Sequence, residues 1–60
     1  MTDFEKMVTK LKESDYDGDR YFRVLELRNF KKQIDFCQTG FWDDYTSFQY
    51  DRDGNLIRIF

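Results

Sequence analysis

A fifth of this sixty-residue chain is aromatic, with seven Phe, four Tyr and one Trp, and it contains no proline. Aromatic rings carry a large apolar area on few rotatable bonds, so they can fill a very small core or form a rigid contact surface. A chain of this length has need of that. It buries only about 60% of the surface exposed when unfolded, which leaves a thin margin of stability. A single cysteine rules out an internal disulfide, and no zinc-ligand set is visible. The expectation is one small domain over residues 1–60, stabilised by its aromatics, by self-association or by a partner.

Composition also narrows function. Histidine is absent and only Cys37 could serve as a thiol, which removes most of the usual parts for catalysis and metal binding. Cys37 reads as a small apolar filler, and an unpaired cysteine suits a reducing compartment. No run approaches the roughly 18 apolar residues of a membrane span. Met1-Thr2-Asp3-Phe4-Glu5 lacks the basic-then-apolar pattern of a secretion signal, so a cytoplasmic protein is expected. The net charge is −2 and the pI about 4.9. Glu13, Asp15, Asp17 and Asp19 form one acidic run and Asp43, Asp44, Asp51 and Asp53 another, around a basic middle of Arg23, Arg28, Lys31 and Lys32. That balance argues against a general nucleic-acid binder, whose affinity comes from cationic contacts with phosphates. It leaves room for an acidic surface that occupies another protein's nucleic-acid site.

Along the chain, Thr2-Asp3-Phe4-Glu5 fits a capping box. Phe4, Met7, Val8 and Leu11 then recur at helical spacing. A helix over roughly residues 3–14 is predicted, stopped by the turn chemistry of Asp15-Tyr16-Asp17-Gly18-Asp19. At the other end, Thr46–Tyr50 alternates and Leu56–Phe60 is rich in strand formers, with Asp51-Arg52-Asp53-Gly54-Asn55 between them. This reads as a C-terminal β-hairpin turning at Gly54. The middle supports two readings. Val24, Leu27, Phe30, Ile34 and Cys37 follow helical spacing, whereas Phe22–Leu25 and Gln33–Phe36 alternate as strands. Strands at about 20–27 and 31–37, turning at Arg28-Asn29, are the favoured choice. The resulting fold class is α+β: one N-terminal helix packed on a small antiparallel sheet of three to four strands, ending in the hairpin.

Four motif-like strings carry functional suggestions. Asp15, Asp17, Asp19 and Glu26 occupy positions 1, 3, 5 and 12 of a calcium loop, and the string resembles an EF-hand. Its sixth position, where the sharp turn needs glycine, is Arg20, and both Asp/Gly strings read more simply as turns leading into strands. Asp43-Asp44 beside Trp42 and Tyr45 imitates an acid–base pair, but neighbours in extended chain point to opposite faces. Arg20, Arg23, Arg28, Lys31 and Lys32 lie among Tyr21, Phe22 and Phe30, a pattern that could stack single-stranded nucleic acid; the acidic balance favours a solvated strand face. Gly40-Phe41-Trp42-Asp43-Asp44-Tyr45 is the strongest candidate site. Large aromatics are preferred anchors of protein interfaces, and acidic neighbours select a basic partner.

The sequence is therefore read as a non-enzymatic protein-binding module, an inhibitor or adaptor, with Phe41, Trp42, Asp43, Asp44 and Tyr45 as partner-binding residues and no cofactor. The alternatives are calcium binding at 15–26 and single-strand nucleic-acid binding. In general character, though through no shared motif, an acidic aromatic-rich chain of this length resembles the small inhibitors encoded by phages and mobile elements, including anti-CRISPR proteins. That resemblance implies a nucleic-acid-handling target with a basic groove. Homodimerisation through an edge strand, such as Leu56–Phe60, is compatible with each reading.

Overall fold

The computed structural model describes residues 1–16 and 18–60. The capping box forms: the Thr2 hydroxyl accepts from the Glu5 N–H at 3.1 Å, and the Glu5 carboxylate accepts from the Thr2 N–H at 3.3 Å. It starts helix α1, Asp3–Glu13. The helix stops where the Ser14 hydroxyl turns back and donates to the Lys10 carbonyl at 2.8 Å. Phe4, Met7, Val8 and Leu11 line the inner face, while Lys6, Lys10 and Glu13 are exposed.

Residues 20–37 adopt the strand alternative. Strands β1 (Phe22–Glu26) and β2 (Lys32–Phe36) are joined by a turn of 3-10 helix at Arg28–Phe30. A continuous helix is interrupted there because Asn29 and Phe30 have φ of 60° and 62°. Left-handed backbone costs about 1–2 kcal/mol at a residue with a side chain, least at asparagine. Two such residues in succession reverse the chain, and the Leu27 N–H closes the hairpin on the Lys31 carbonyl at 2.8 Å.

The C-terminal hairpin consists of β3 (Thr46–Tyr50) and β4 (Leu56–Ile59). Its turn folds around the Asp51 carboxylate, which accepts from the Asp53 and Asn55 N–H groups, both at 2.9 Å. Gly54, at φ 87°, brings the turn against Thr2, and its carbonyl accepts from the Phe4 N–H at 2.9 Å. Asp3 accepts from the Leu56 N–H at 3.0 Å. These two bonds dock the start of α1 on the β3–β4 turn.

The sheet order is β1-β2-β3-β4 with every pair antiparallel, so the sheet is a meander and the fold is α+β. Phe22 lies opposite Phe36 and Ile34 opposite Phe48. Because side chains alternate across a strand, Phe22, Ile34, Phe36, Phe48 and Tyr50 face α1. Leu11, Phe22, Ile34 and Tyr50 form the buried centre, with Phe4 edge-on to Tyr50 at 5.5 Å. At the far end Tyr16 meets Phe36 and Tyr21 edge-on, at 5.2 and 5.5 Å. Among the described residues no helix is long and apolar enough to cross a membrane.

Candidate functional site

The sheet face turned away from α1 carries Arg23, Gln33, Asp35, Ser47 and Gln49. An aspartate on an uncovered face would ordinarily be solvated, yet Asp35 is only 2% exposed. Its neighbours explain why. Oδ1 accepts from Gln33 Nε2 and Ser47 Oγ, both at 2.7 Å, and Oδ2 accepts from Arg23 Nε at 3.2 Å. Gln49 Nε2 donates in turn to the Gln33 side-chain carbonyl at 3.0 Å. A polar ladder thus crosses β1, β2 and β3 with Asp35 at its centre. Burial pushes the Asp35 carboxyl upward, but the hydrogen bonds from Gln33, Ser47 and Arg23 outweigh it, and the group is held below its ordinary value of 3.8.

The long connection between β2 and β3 folds beside this ladder, and Cys37 organises it. Cys37 is fully buried, and its N–H donates to the Tyr21 carbonyl at 2.6 Å. Its Sγ accepts from the Trp42 N–H at 3.1 Å, lies 3.5 Å from Thr39 Oγ1, and donates to the Asp44 carbonyl at 3.6 Å. The thiol is held below its ordinary value of 9.0, first by the Thr39 hydroxyl and then by the Trp42, Gly40 and Phe41 amides, against the effect of burial. Gly40 suits this position because its φ of 79° lies in the left-handed region that strains residues with a side chain.

This small knot aims the aromatics. Trp42 is held at φ 58°, a strained conformation for a bulky residue. Its indole covers the Arg23 guanidinium at 4.6 Å, Tyr45 approaches the same group at 5.8 Å, and the two rings meet edge-on at 5.6 Å. Arg23 is therefore clamped between a buried carboxylate and two rings, an arrangement favourable to cation–π attraction. Phe41 is 74% exposed. Asp43 and Asp44 are exposed.

The five residues singled out in the sequence thus separate into two parts. Trp42 and Tyr45 join Arg23 on the sheet face, while Phe41, Asp43 and Asp44 form an outward edge. Since Phe22 pairs with Phe36 at this end of the sheet, the segments 19–21 and 37–45 lie side by side. Exposed Asp15 and Asp19 therefore share the acidic end with Asp43 and Asp44, partly balanced by Arg20. Arg28 and Lys31 sit at the opposite end, in the β1–β2 turn.

The other candidate strings come apart. Asp17 of the calcium-loop pattern lies outside the described residues. The segment after that loop is β1, whose extension carries Glu26 roughly 13 Å beyond Phe22. Among the described residues no group of three or more His, Cys, Asp or Glu is placed to hold a metal ion. The basic-aromatic string is divided by strand alternation: Phe22 enters the core, Arg23 faces the open side, and Lys32 packs over the Phe4 ring at 4.7 Å.

From the sequence, Asp35 carries no candidate role, and Arg23 enters only as a member of the basic-aromatic string. A charge at alternate positions of two strands was the available signal, and it reads equally well as a solvated face. Comparison with protein-family models, with curated proteins and with solved structures finds no match to this chain.

Proposed function

We propose that the protein is a non-enzymatic module that binds another protein, as an inhibitor or adaptor, through the β2–β3 connection. The observation that carries this reading is the presentation of residues 41–45. A strained Trp42 is held by the Cys37 thiol, so that one ring, Phe41, stands out beside Asp43 and Asp44. Trp42, Tyr45 and Arg23 lie just behind it, and these are the three residue types that dominate interface energetics. The exposed acids around them suit a basic surface on the partner, such as the groove of a nucleic-acid-handling protein. A buried, free Cys37 suits the reducing cytoplasm as the place of action.

The test uses two baits in lysate from the source organism, the native chain and a Phe41→Ala, Asp43→Asn, Asp44→Asn variant. None of these three side chains takes part in the core, so the variant should match the native chain in circular dichroism and melting temperature. A partner retained by the native chain, lost with the variant and weakened by added salt is the expected result. If both baits retain the same proteins, or neither retains any, the assignment of this surface is wrong.

A further inference from the structure

We propose that a second copy of this chain pairs with the outer edge of β4, extending the two meanders into one continuous antiparallel sheet around a twofold axis. The first observation is the strand itself. β4 pairs with β3 on one side only, and every residue of Leu56–Ile59 is exposed. Leu56, Ile57 and Ile59, with Phe60 after them, are 39, 50, 58 and 57% exposed. An edge strand facing water is ordinarily blunted by shortness, by bulges or by charges. β4 is short, at four residues, with a register shift opposite Gln49–Tyr50, but its side chains are almost all apolar. A strand apolar on both faces reads as an inner strand.

The only charge in this stretch does little to guard the edge. Arg58 lays its guanidinium over the Phe60 ring at 4.6 Å. The Phe60 N–H is used inward, on the Ser47 carbonyl at 2.9 Å. Alternation of an antiparallel ladder therefore turns the Ile59 N–H and C=O outward, toward an incoming strand.

The second observation is the incomplete cover on the helix side. Helix α1 leaves a shallow groove beside β4, lined by Met7, Lys10, Tyr50 and Leu56. Ile59, opposite Phe48, stands on that same side of the sheet. A strand added at β4 would bring its own Ile59 and Leu56 over this gap.

A second copy meets these requirements with one surface. Two β4 strands run antiparallel about a twofold axis, so each supplies the donors and acceptors the other lacks. The net charge of −2 sets little repulsion against pairing. With side chains that present roughly 200 Å² each when free, the observed exposures amount to about 400 Å² of apolar surface per copy. Adding strand backbone and the rim of α1 brings the contact toward the lower end of specific interfaces, about 600 Å² per partner. A contact of that size belongs with weak, reversible associations, so pairing is expected only as the concentration rises.

This dimer uses a different edge from residues 41–45 and stands independently of the function proposed for them. The test is sedimentation equilibrium from about 5 µM to about 1 mM, the range in which weak dimers form, with hydrogen exchange at the same concentrations. The native chain should pass from 7.5 kDa toward twice that mass, and the Ile59 amide should exchange several-fold more slowly in the dimer. Ile59→Lys places a charge at a position already 58% exposed, so it should keep the fold and remain monomeric. Ile57→Lys is a second variant of the same design. A native chain that stays at 7.5 kDa at the highest concentration overturns the proposal, leaving this edge to a strand from a different protein. A dimer that persists in both lysine variants, or leaves Ile59 exchange unchanged, overturns it equally.

Discussion

Asp35→Asn should destabilise the protein by about 2 kcal/mol at neutral pH, and this penalty should shrink in acid. The substitution preserves shape and leaves no cavity. It replaces one acceptor oxygen by an NH2 group, which then faces either the Arg23 Nε–H or the pair of donors from Gln33 and Ser47. A hydrogen bond to a charged group contributes about 1.5–3 kcal/mol. The Arg23 share is smaller because its side chain is 49% exposed and water can replace the carboxylate. The Gln33 and Ser47 bonds survive in one orientation but lose their charge assistance, which leaves a net cost of about 2 kcal/mol. In a domain of this size, that corresponds to a fall in melting temperature of about 8–16 °C.

The pH dependence follows from linkage. The folded carboxyl of Asp35 sits below its ordinary value of 3.8, so its stabilisation is complete above that value and disappears as pH falls through the folded one. Glu5 and Asp51 are shifted in the same direction, Glu5 chiefly by the Thr2 side chain and Asp51 chiefly by the Asn55 backbone. They are present in both proteins and cancel in the comparison. Urea unfolding followed by Trp42 fluorescence, from about pH 7 to about pH 2.5, measures the difference directly. A penalty under about 0.5 kcal/mol, or one that stays constant with pH, would refute the account of a charge-dependent ladder.

Phe30→Gly should stabilise the protein by about 1 kcal/mol in the same assay, because Phe30 is strained at φ 62° and 78% exposed. Gly54→Ala should cost about 2 kcal/mol or more, since the new Cβ would lie 2.5 Å from Thr2 Cβ at a backbone φ of 87°. Cys37 should react with a thiol reagent only as fast as the β2–β3 connection opens, and Cys37→Ala should shift the Trp42 emission by freeing the N–H that the sulfur accepts.

The parts of the fold readable from sequence are those governed by neighbours along the chain. The Thr2–Glu5 cap, the Phe4–Leu11 stripe and the Asp51–Asn55 turn each depend on residues a few positions apart. Residues 20–37 were less legible because their apolar positions satisfy two periods, and the choice is made by the backbone at Asn29 and Phe30 and by pairing with β3. The same limit divides the site. Aromatic and acidic residues 41–45 stand out locally, but the stacking of Trp42 on Arg23 joins distant segments. Cys37 is the apolar filler that its composition suggests, and it is also a hydrogen-bonding centre, which hydrophobic patterning does not register. Asp35 looks like a solvent-facing charge until Arg23, Gln33 and Ser47 close around it.

The clamp between the first turn of α1 and the β3–β4 turn bears on the order in which the molecule assembles. Every strand of the meander pairs with its neighbour in the chain, and no strand pair spans more than the 18 residues from Lys32 to Tyr50. The Asp3–Leu56 bond spans 53 residues, against 14 for the widest β1–β2 pair, Phe22 with Phe36. Loop entropy makes that closure more costly by about 1 kcal/mol. Helix docking is therefore expected to follow hairpin formation, with substitutions at Met7 and Leu11 accelerating unfolding while leaving the folding rate nearly unchanged. Rates in which those substitutions chiefly slow folding would place the helix in the nucleus instead.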